Sequence, residues 1–283
     1  MTSTLASFLR TPGVEEFRKL GNRPVPVGYA LLASLGIYSV FFVGRDLYNY
    51  YRLLPVDMRG TSSTRPIVYL FASLIRTWRW IWGMDGTSSV PIRKWVESSR
   101  DREPIYGRTY LDEAALPVRR APRPMLLHQG VPQRQIPQML DHELEQELKT
   151  MFKEFGISHS LRIGESVIEP NAIALFLPST PPSNNGRLHP EFVIPITDRA
   201  SAYEFAHVHG GESSLHLLLA PLDAALAIER GWAVRFSLAG CVGPWGHARG
   251  RVLAYAPRDE QEVKVIMSLV QAGFDYLTDV PKE

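Results

Sequence analysis

From Pro24 to Gly44 the chain runs 21 residues without a charge, bounded by Arg23 and Arg45. As a helix this run extends about 31 Å, close to the thickness of a bilayer's hydrocarbon core. Tyr29 lies near one end, and Tyr48, Tyr50 and Tyr51 follow the other, where an interfacial aromatic belt falls. A cleaved signal peptide starts earlier, is shorter and ends in small residues, whereas here Arg45-Asp46 follow. The pattern predicts an uncleaved transmembrane anchor over 24–44. Arg10, Arg18, Lys19 and Arg23 on one side nearly balance Arg45, Arg52, Arg59 and Arg65 on the other, so flanking charge sets no orientation.

A second apolar stretch, Ile67 to Ile75, is too short to span and leads into Arg76-Thr77-Trp78-Arg79-Trp80-Ile81-Trp82. Interleaved Trp and Arg suit a lipid headgroup region, and equally a helix packed on the soluble domain. From Gly83 to about Pro137 periodicity is weak and Pro, Arg, Ser and Gly are frequent; Leu116 to Pro124 (LPVRRAPRP) reads as an extended linker-like arm.

Regular structure is legible beyond Pro137. Met139-Leu140, Leu144, Leu148, Met151-Phe152 and Phe155 recur at helical spacing, with Gly156 expected as the C-terminal cap. Ser166 to Leu177 reads as a strand pair, or a strand with a turn at Pro170-Asn171, and Thr180 to His189 as a loop. Tyr203 to His209 and Ser213 to Ala220 form a hairpin pattern through Gly210-Gly211. A short helix over Pro221 to Arg230, ended by Gly231, and a strand at Val252 to Ala256 follow. Asp259 and Glu262 then make a capping-box pattern before Val263, Ile266-Met267, Val270, Phe274 and Leu277. This order predicts an α+β fold, a small, mostly antiparallel sheet with packed helices, preceded by the transmembrane helix.

Composition narrows the function classes. Against 31 Lys+Arg stand 29 Asp+Glu, which excludes a strongly basic nucleic-acid surface. The single cysteine, Cys241, excludes an intramolecular disulfide and multi-cysteine zinc sites, and no basic neighbour marks it as a nucleophile. There is no Gly-rich phosphate loop, Gly-x-Ser-x-Gly elbow or dinucleotide fingerprint.

The densest run of reactive side chains is Glu204 to His216. On a strand His207 and His209 project from one face, and His216 on the returning strand faces them. Three converging imidazoles suit a divalent metal or an acid–base pair near a substrate; a solvated strand face is the plain alternative. With no carboxylate or fourth His at an obvious ligand spacing, the expectation is a metal-free pocket. Trp232 reads as a wall for a flat ligand or as core, and Arg258 as an anion contact or a surface ion pair.

The run AYEFAHVHGGESSLHLLLAPLDAALAIERGWAVRFSLAG, followed by LAYAPRDEQEVKVIMSLVQAGFDYLT, resembles the luciferase-like domain of fungal luciferases and their non-luminous relatives. Ala-His-x-His, Ser-Leu-His-Leu, Gly-Trp, Leu-Ala-Gly and Tyr-Ala-Pro-Arg stand in the family's order; VPQRQIPQ and EPNAIALFLPS fit more loosely. On this resemblance the chain divides into an N-terminal segment 1–23, the anchor 24–44, a membrane-proximal amphipathic and Pro/Arg-rich arm 45–130, and a luciferase-like domain 131–283.

The resemblance implies a fungal enzyme acting on a 3-hydroxy-α-pyrone of the hispidin type or another phenolic or polyketide-type metabolite. Molecular oxygen is the co-substrate, with no metal, flavin or other cofactor. It also implies a single-pass protein of the endoplasmic reticulum with the soluble domain cytosolic. Such chemistry needs a base for the enolate, a donor to hold it and a dry pocket. His207, His209, His216 and Arg258 are the catalytic candidates; Glu204, Trp232, Arg235, Phe236 and Tyr255 are the substrate-contact candidates. In one respect the chain departs from the pattern, because Phe236 stands where the family's histidine is expected after Gly-Trp. Phenylalanine moves no protons, so the expectation is a non-luminous relative. A non-oxidative cyclase or isomerase using the same histidines and a non-catalytic membrane-bound binding protein are the rival readings. No nucleic-acid partner is expected.

Overall fold

The computed structural model describes residues 27–54, 58–59, 64–81, 85–99, 101, 104–127, 133–136, 142–169, 171–178, 183–184, 187–188, 203–240 and 248–279. Cys241, Trp82, the segment 1–23 and the start of the expected helix at Met139-Leu140 lie outside them. The chain divides into two compact units, Met1–Asn49 and Tyr50–Glu283.

Helix α1 (Val27–Leu53) carries no charge before Arg45, and its side chains from 31 to 45 are exposed. Among the described residues it is the one helix long and apolar enough to cross a membrane, over Leu31–Leu53. In the second unit, α2 (Pro66–Ile81) is continuous through the Trp/Arg run and turns Tyr69, Ala72 and Ile75 inward. Ile67, Leu70, Phe71, Leu74, Trp78 and Ile81 form an exposed stripe at 3–4-residue spacing.

The remaining elements are α3 (Val90–Ser99), a 3₁₀ turn at Pro104–Gly107, α4 (His142–Ser158), β1 (Arg162–Glu165), β2 (Ile173–Phe176), β3 (Ser183–Asn184), β4 (Arg187–Leu188), β5 (Glu204–Val208), β6 (Leu215–Leu218), α5 (Pro221–Glu229), β7 (Ala233–Arg235), β8 (Arg251–Ala254) and α6 (Glu260–Thr278). Six strands form one antiparallel sheet in the order β1-β2-β5-β6-β8-β7, as an α+β fold requires. The two short strands β3 and β4 pair within the expected loop 180–189.

Period-two alternation gives the sheet two faces. Ala206, Val208, Leu215, Leu217, Val252 and Ala254 join the main core with Leu148 and Phe152 of α4 and Ile266, Leu269, Val270 and Leu277 of α6. The other face carries a register row of Gly164, Ala174, His207, His216, Leu253 and Val234.

Several local expectations shift. Gly156 does not cap α4, which continues to Ser158; a Cβ there would lie 2.7 Å from Leu175 Cδ2, so the glycine lets helix and sheet approach. β1 begins at Arg162, before the expected pair, and β7 was not legible in the pattern. Asp259 caps α6 by accepting from the Glu262 amide at 2.8 Å. Glu262 does not complete the capping box; its carboxylate turns to the Arg258 amide and the Arg119 guanidinium.

The Pro/Arg-rich arm has little regular structure between residues 108 and 127 but is packed onto the second unit. Arg119 reaches Glu262 and the Ala256 carbonyl, and Arg123 the Ile228 carbonyl. Further on, Leu126 bridges to Gln135 and packs against Val234, Leu253 and Tyr255. Gln133 and Arg134 meet the histidine face.

Candidate functional site

His207 and His216 are register partners on β5 and β6, and His209 follows His207 by two residues, so all three rings share a face. Their centroids are 5.0–5.2 Å apart, and none is more than 4% exposed. Gly164 and Ala174 continue the row beside His207 with small residues.

A carboxylate enters from a distant turn. After β1, the Ser166 hydroxyl accepts from the amides of Ile168 and Glu169, and that turn directs Glu169 inward. Glu169 Oε2 lies 2.8 Å from His209 Nε2 and 3.3 Å from His207 Nε2. Its other oxygen accepts from Arg134 at 3.1 Å.

Each imidazole has a support behind it. His207 Nδ1 stands 2.5 Å from Glu204 Oε1, and Glu204 also accepts from the Ser166 hydroxyl and the Val167 amide. His209 Nδ1 meets Ser214 Oγ at 2.8 Å and Glu212 Oε1 at 3.0 Å, while Ser214 donates to Glu212. Glu212 is gripped through both oxygens by the fully buried Arg134, at 2.7 and 2.6 Å. His216 differs: Nδ1 is 3.3 Å from the Val252 carbonyl and Nε2 3.0 Å from that of Gln133.

These surroundings separate the titrations. For His207 burial opposes protonation, but hydrogen bonds to Glu169 and Glu204 raise its pKa. His216 is driven well below the ordinary value by burial and then by the two neighbouring imidazoles. Burial pushes Glu169 and Glu212 up, yet attraction to His209, with Arg134 and neighbouring hydrogen bonds, outweighs it; Glu169 falls well below its ordinary value and Glu212 to about 2. The same balance, with His207 as the partner, lowers Glu204. The face therefore pushes the titrations of His207 and His216 in opposite directions, His207 up beside its carboxylates and His216 down, the kind of separation that acid–base work uses.

No solved structure matches this chain. The family model for the luciferase domain matches residues 202–273 and so covers β5, β6, α5, β7, β8 and α6 as far as Gly273, with all three histidines. A luciferase of Neonothopanus nambi is 31% identical over 188 residues, 64% of this chain and 67% of that protein. This chain belongs to the fungal luciferase family. The Armillaria gallica luciferase is 32% identical over 171 residues, 59% of this chain and 62% of its own length, and that of Armillaria ostoyae matches equally.

Of the residues singled out from the luciferase-like sequence, the structure brings together His207, His209, His216, Glu204 and Phe236. The Phe236 ring meets His216 edge-on at 5.0 Å, so the site of the departure from the luciferase pattern adjoins the cluster. Trp232 and Tyr255 stand elsewhere, each 5.5 Å from the Arg119 guanidinium, with Trp232 Nε1 donating to the Pro117 carbonyl. Arg258 is held by Glu262 and lines, with Trp232, a cleft of about 260 Å³ in which no cluster histidine takes part. Arg235 contributes backbone, its amide donating to Gly86 and its carbonyl accepting from Gln133.

The spacing argument missed Glu169, Arg134, Glu212 and Ser214. Glu212 and Ser214 lie inside the histidine run, where a charged residue in a Gly-Gly turn was the available signal. Glu169, 38 residues before His207, and Arg134, 78 before Glu212, carry no local signal. Glu169, His207, His209 and His216 are also the described residues able to offer one ligand atom each to a common ion.

Proposed function

We propose that this protein is a luciferase-like enzyme that converts a small enolisable phenolic or α-pyrone metabolite with molecular oxygen, and that it is not luminous. The observation that carries this reading is the His209 Nε2–Glu169 Oε2 approach of 2.8 Å on a buried sheet face, beside His207, whose two nitrogens meet Glu204 and Glu169. Such a pair accepts the acidic proton of an enol, and His207, held between Glu204 and Glu169, stands beside the resulting anion. The electron-rich enolate is then the partner for oxygen. Phe236, edge-on to His216, supplies packing but no proton at the family's histidine position.

Membrane attachment belongs to the same proposal. The apolar α1 suits a single span, and the stripe from Ile67 to Ile81 with Arg65 and Arg76 nearby suits the headgroup layer. The endoplasmic reticulum, with the soluble domain cytosolic, follows from the family resemblance. Alkaline extraction tests attachment: the full chain stays with the membrane, and release into the soluble fraction contradicts it.

The activity is tested by oxygen uptake in membranes carrying the protein, supplied with a 3-hydroxy-α-pyrone, against a His209→Ala control. Uptake above that control supports the reading. Substrate conversion without uptake favours a cyclase or isomerase, and equal turnover in the control removes the histidines from the mechanism.

A further inference from the structure

We infer that Glu169, His207, His209 and His216 form a binding site for one first-row divalent metal ion, such as iron(II), cobalt(II) or zinc(II). The inference goes beyond the oxygenase reading and does not depend on it. It also departs from the metal-free expectation, which rested on the lack of a carboxylate at ligand spacing; the Ser166–Glu169 turn brings that carboxylate from across the sheet.

Four donor groups converge, with one ligand atom from each lying within 4.8 Å of the others. Around a metal with bonds of about 2.1 Å, neighbouring ligand atoms stand roughly 3.0–3.4 Å apart. The separations of Glu169 Oε2 from His209 Nε2 and His207 Nε2, 2.8 and 3.3 Å, are close to these edges. Three imidazoles and one carboxylate select borderline divalent ions over magnesium or calcium, which take mainly oxygen ligands.

His209 Nε2 supplies an independent sign. His209 is fully buried, yet Nε2 makes no hydrogen bond despite its short approach to Glu169. A proton shared between the two would draw them into line; two ligands of one ion approach without aligning on each other. The far nitrogens agree. Glu204 takes His207 Nδ1, while Ser214 and Glu212 take His209 Nδ1, which leaves both Nε2 lone pairs for the centre. Arg134 holds Glu169 Oε1 and leaves Oε2 inward. Carboxylate behind histidine is the support that metal-bound imidazoles commonly have. His216, with Nδ1 3.3 Å from the Val252 carbonyl and Nε2 3.0 Å from that of Gln133, stands close enough to offer the fourth ligand atom.

The test uses the full-length protein in detergent, stripped with chelator and titrated with cobalt(II) without oxygen. Visible ligand-field bands saturating at one cobalt per chain, with a higher thermal midpoint, are expected. Glu169→Gln and His209→Gln should abolish the bands. Glu204→Gln, which removes no ligand but alters the support of His207 and of the turn that carries Glu169, should weaken binding about 10- to 100-fold with unchanged circular dichroism. His142→Ala, outside the cluster, should bind as wild type. A folded protein without bands overturns the inference, as does uptake that Glu169→Gln, His209→Gln and Glu204→Gln all leave unchanged. Cobalt binding without oxygen uptake on the pyrone leaves the site standing and counts against the oxygenase; oxygen uptake by a protein that shows no cobalt bands leaves the oxygenase standing and overturns the site.

Discussion

Glu204 and His207 face each other at 2.5 Å although they are three residues apart on one strand, a spacing that regular pleating sends to opposite faces. The ladder accounts for the contact. Leu175 pairs with Ala206 and Phe176 with Glu204, so Phe205 is an extra residue and the register shifts there. The bulge restores Glu204 to the histidine face. Phe205 meanwhile reaches the helix side, 6.4 Å from the Phe274 ring. One inserted residue thus orients His207 and, through Ser166 and Val167, holds the turn that carries Glu169.

Arg134 is the cation that keeps Glu169 and Glu212 in place, and it is fully buried. Arg134→Met leaves two carboxylates short of a partner, so it should cost about 3–5 kcal/mol, well beyond the loss of a surface pair. Thermal melts in detergent check this; a cost under about 1 kcal/mol would mean the imidazoles alone hold both carboxylates.

Gly250 lies against the end of β6, its carbonyl accepting from the Leu219 amide. A Cβ there would sit 1.8 Å from the Leu219 carbonyl oxygen, and that backbone cannot yield without moving the strand that carries His216. Gly250→Ala should cost roughly 2–4 kcal/mol. At Gly164 the nearest atoms would be 3.5 Å away, so Gly164→Ala should stay within about 0.5 kcal/mol. Equal melting temperatures for the two variants would contradict the packing.

Asp223 is buried in the first turn of α5 and accepts from the amides of Tyr110 and Leu111, yet burial raises its pKa to about 6. The folded state then favours the protonated acid. Its contribution to stability is complete below the unfolded value near 4, shrinks as pH rises to about 6, and is flat above. Asp223→Asn should therefore gain on wild type by up to about 3 kcal/mol between pH 4 and 6.5. Melting both proteins across that range checks the sign, and a constant difference contradicts it.

Phe236→His places an imidazole edge-on to His216. If the luciferase-type reaction lacks only that group, oxygen uptake should rise several-fold and weak light should accompany it. Unchanged uptake in a folded variant would show that Phe236 is not what limits the reaction.

The sequence made the sheet face legible where local rules operate. Alternation placed His207 and His209 together, and the hairpin returned His216 opposite. Asp259 announced the start of α6. The same rules fail where structure depends on distant chain. Strict alternation would send Glu204 to the face opposite His207, because a bulge has no strong local signature, and spacing could not find Glu169 or Arg134, whose partners lie 38 and 78 residues away. Gly156 looked like a stop because glycine ends helices often; here it serves close packing against Leu175.

The most direct test of the account is turnover of a 3-hydroxy-α-pyrone under ¹⁸O₂, followed by mass spectrometry of the product. The account predicts ¹⁸O in the product with wild-type protein, and its loss together with turnover in folded Glu169→Gln and His209→Ala variants. Conversion to a product without ¹⁸O, or equal labelling with both variants, would contradict it.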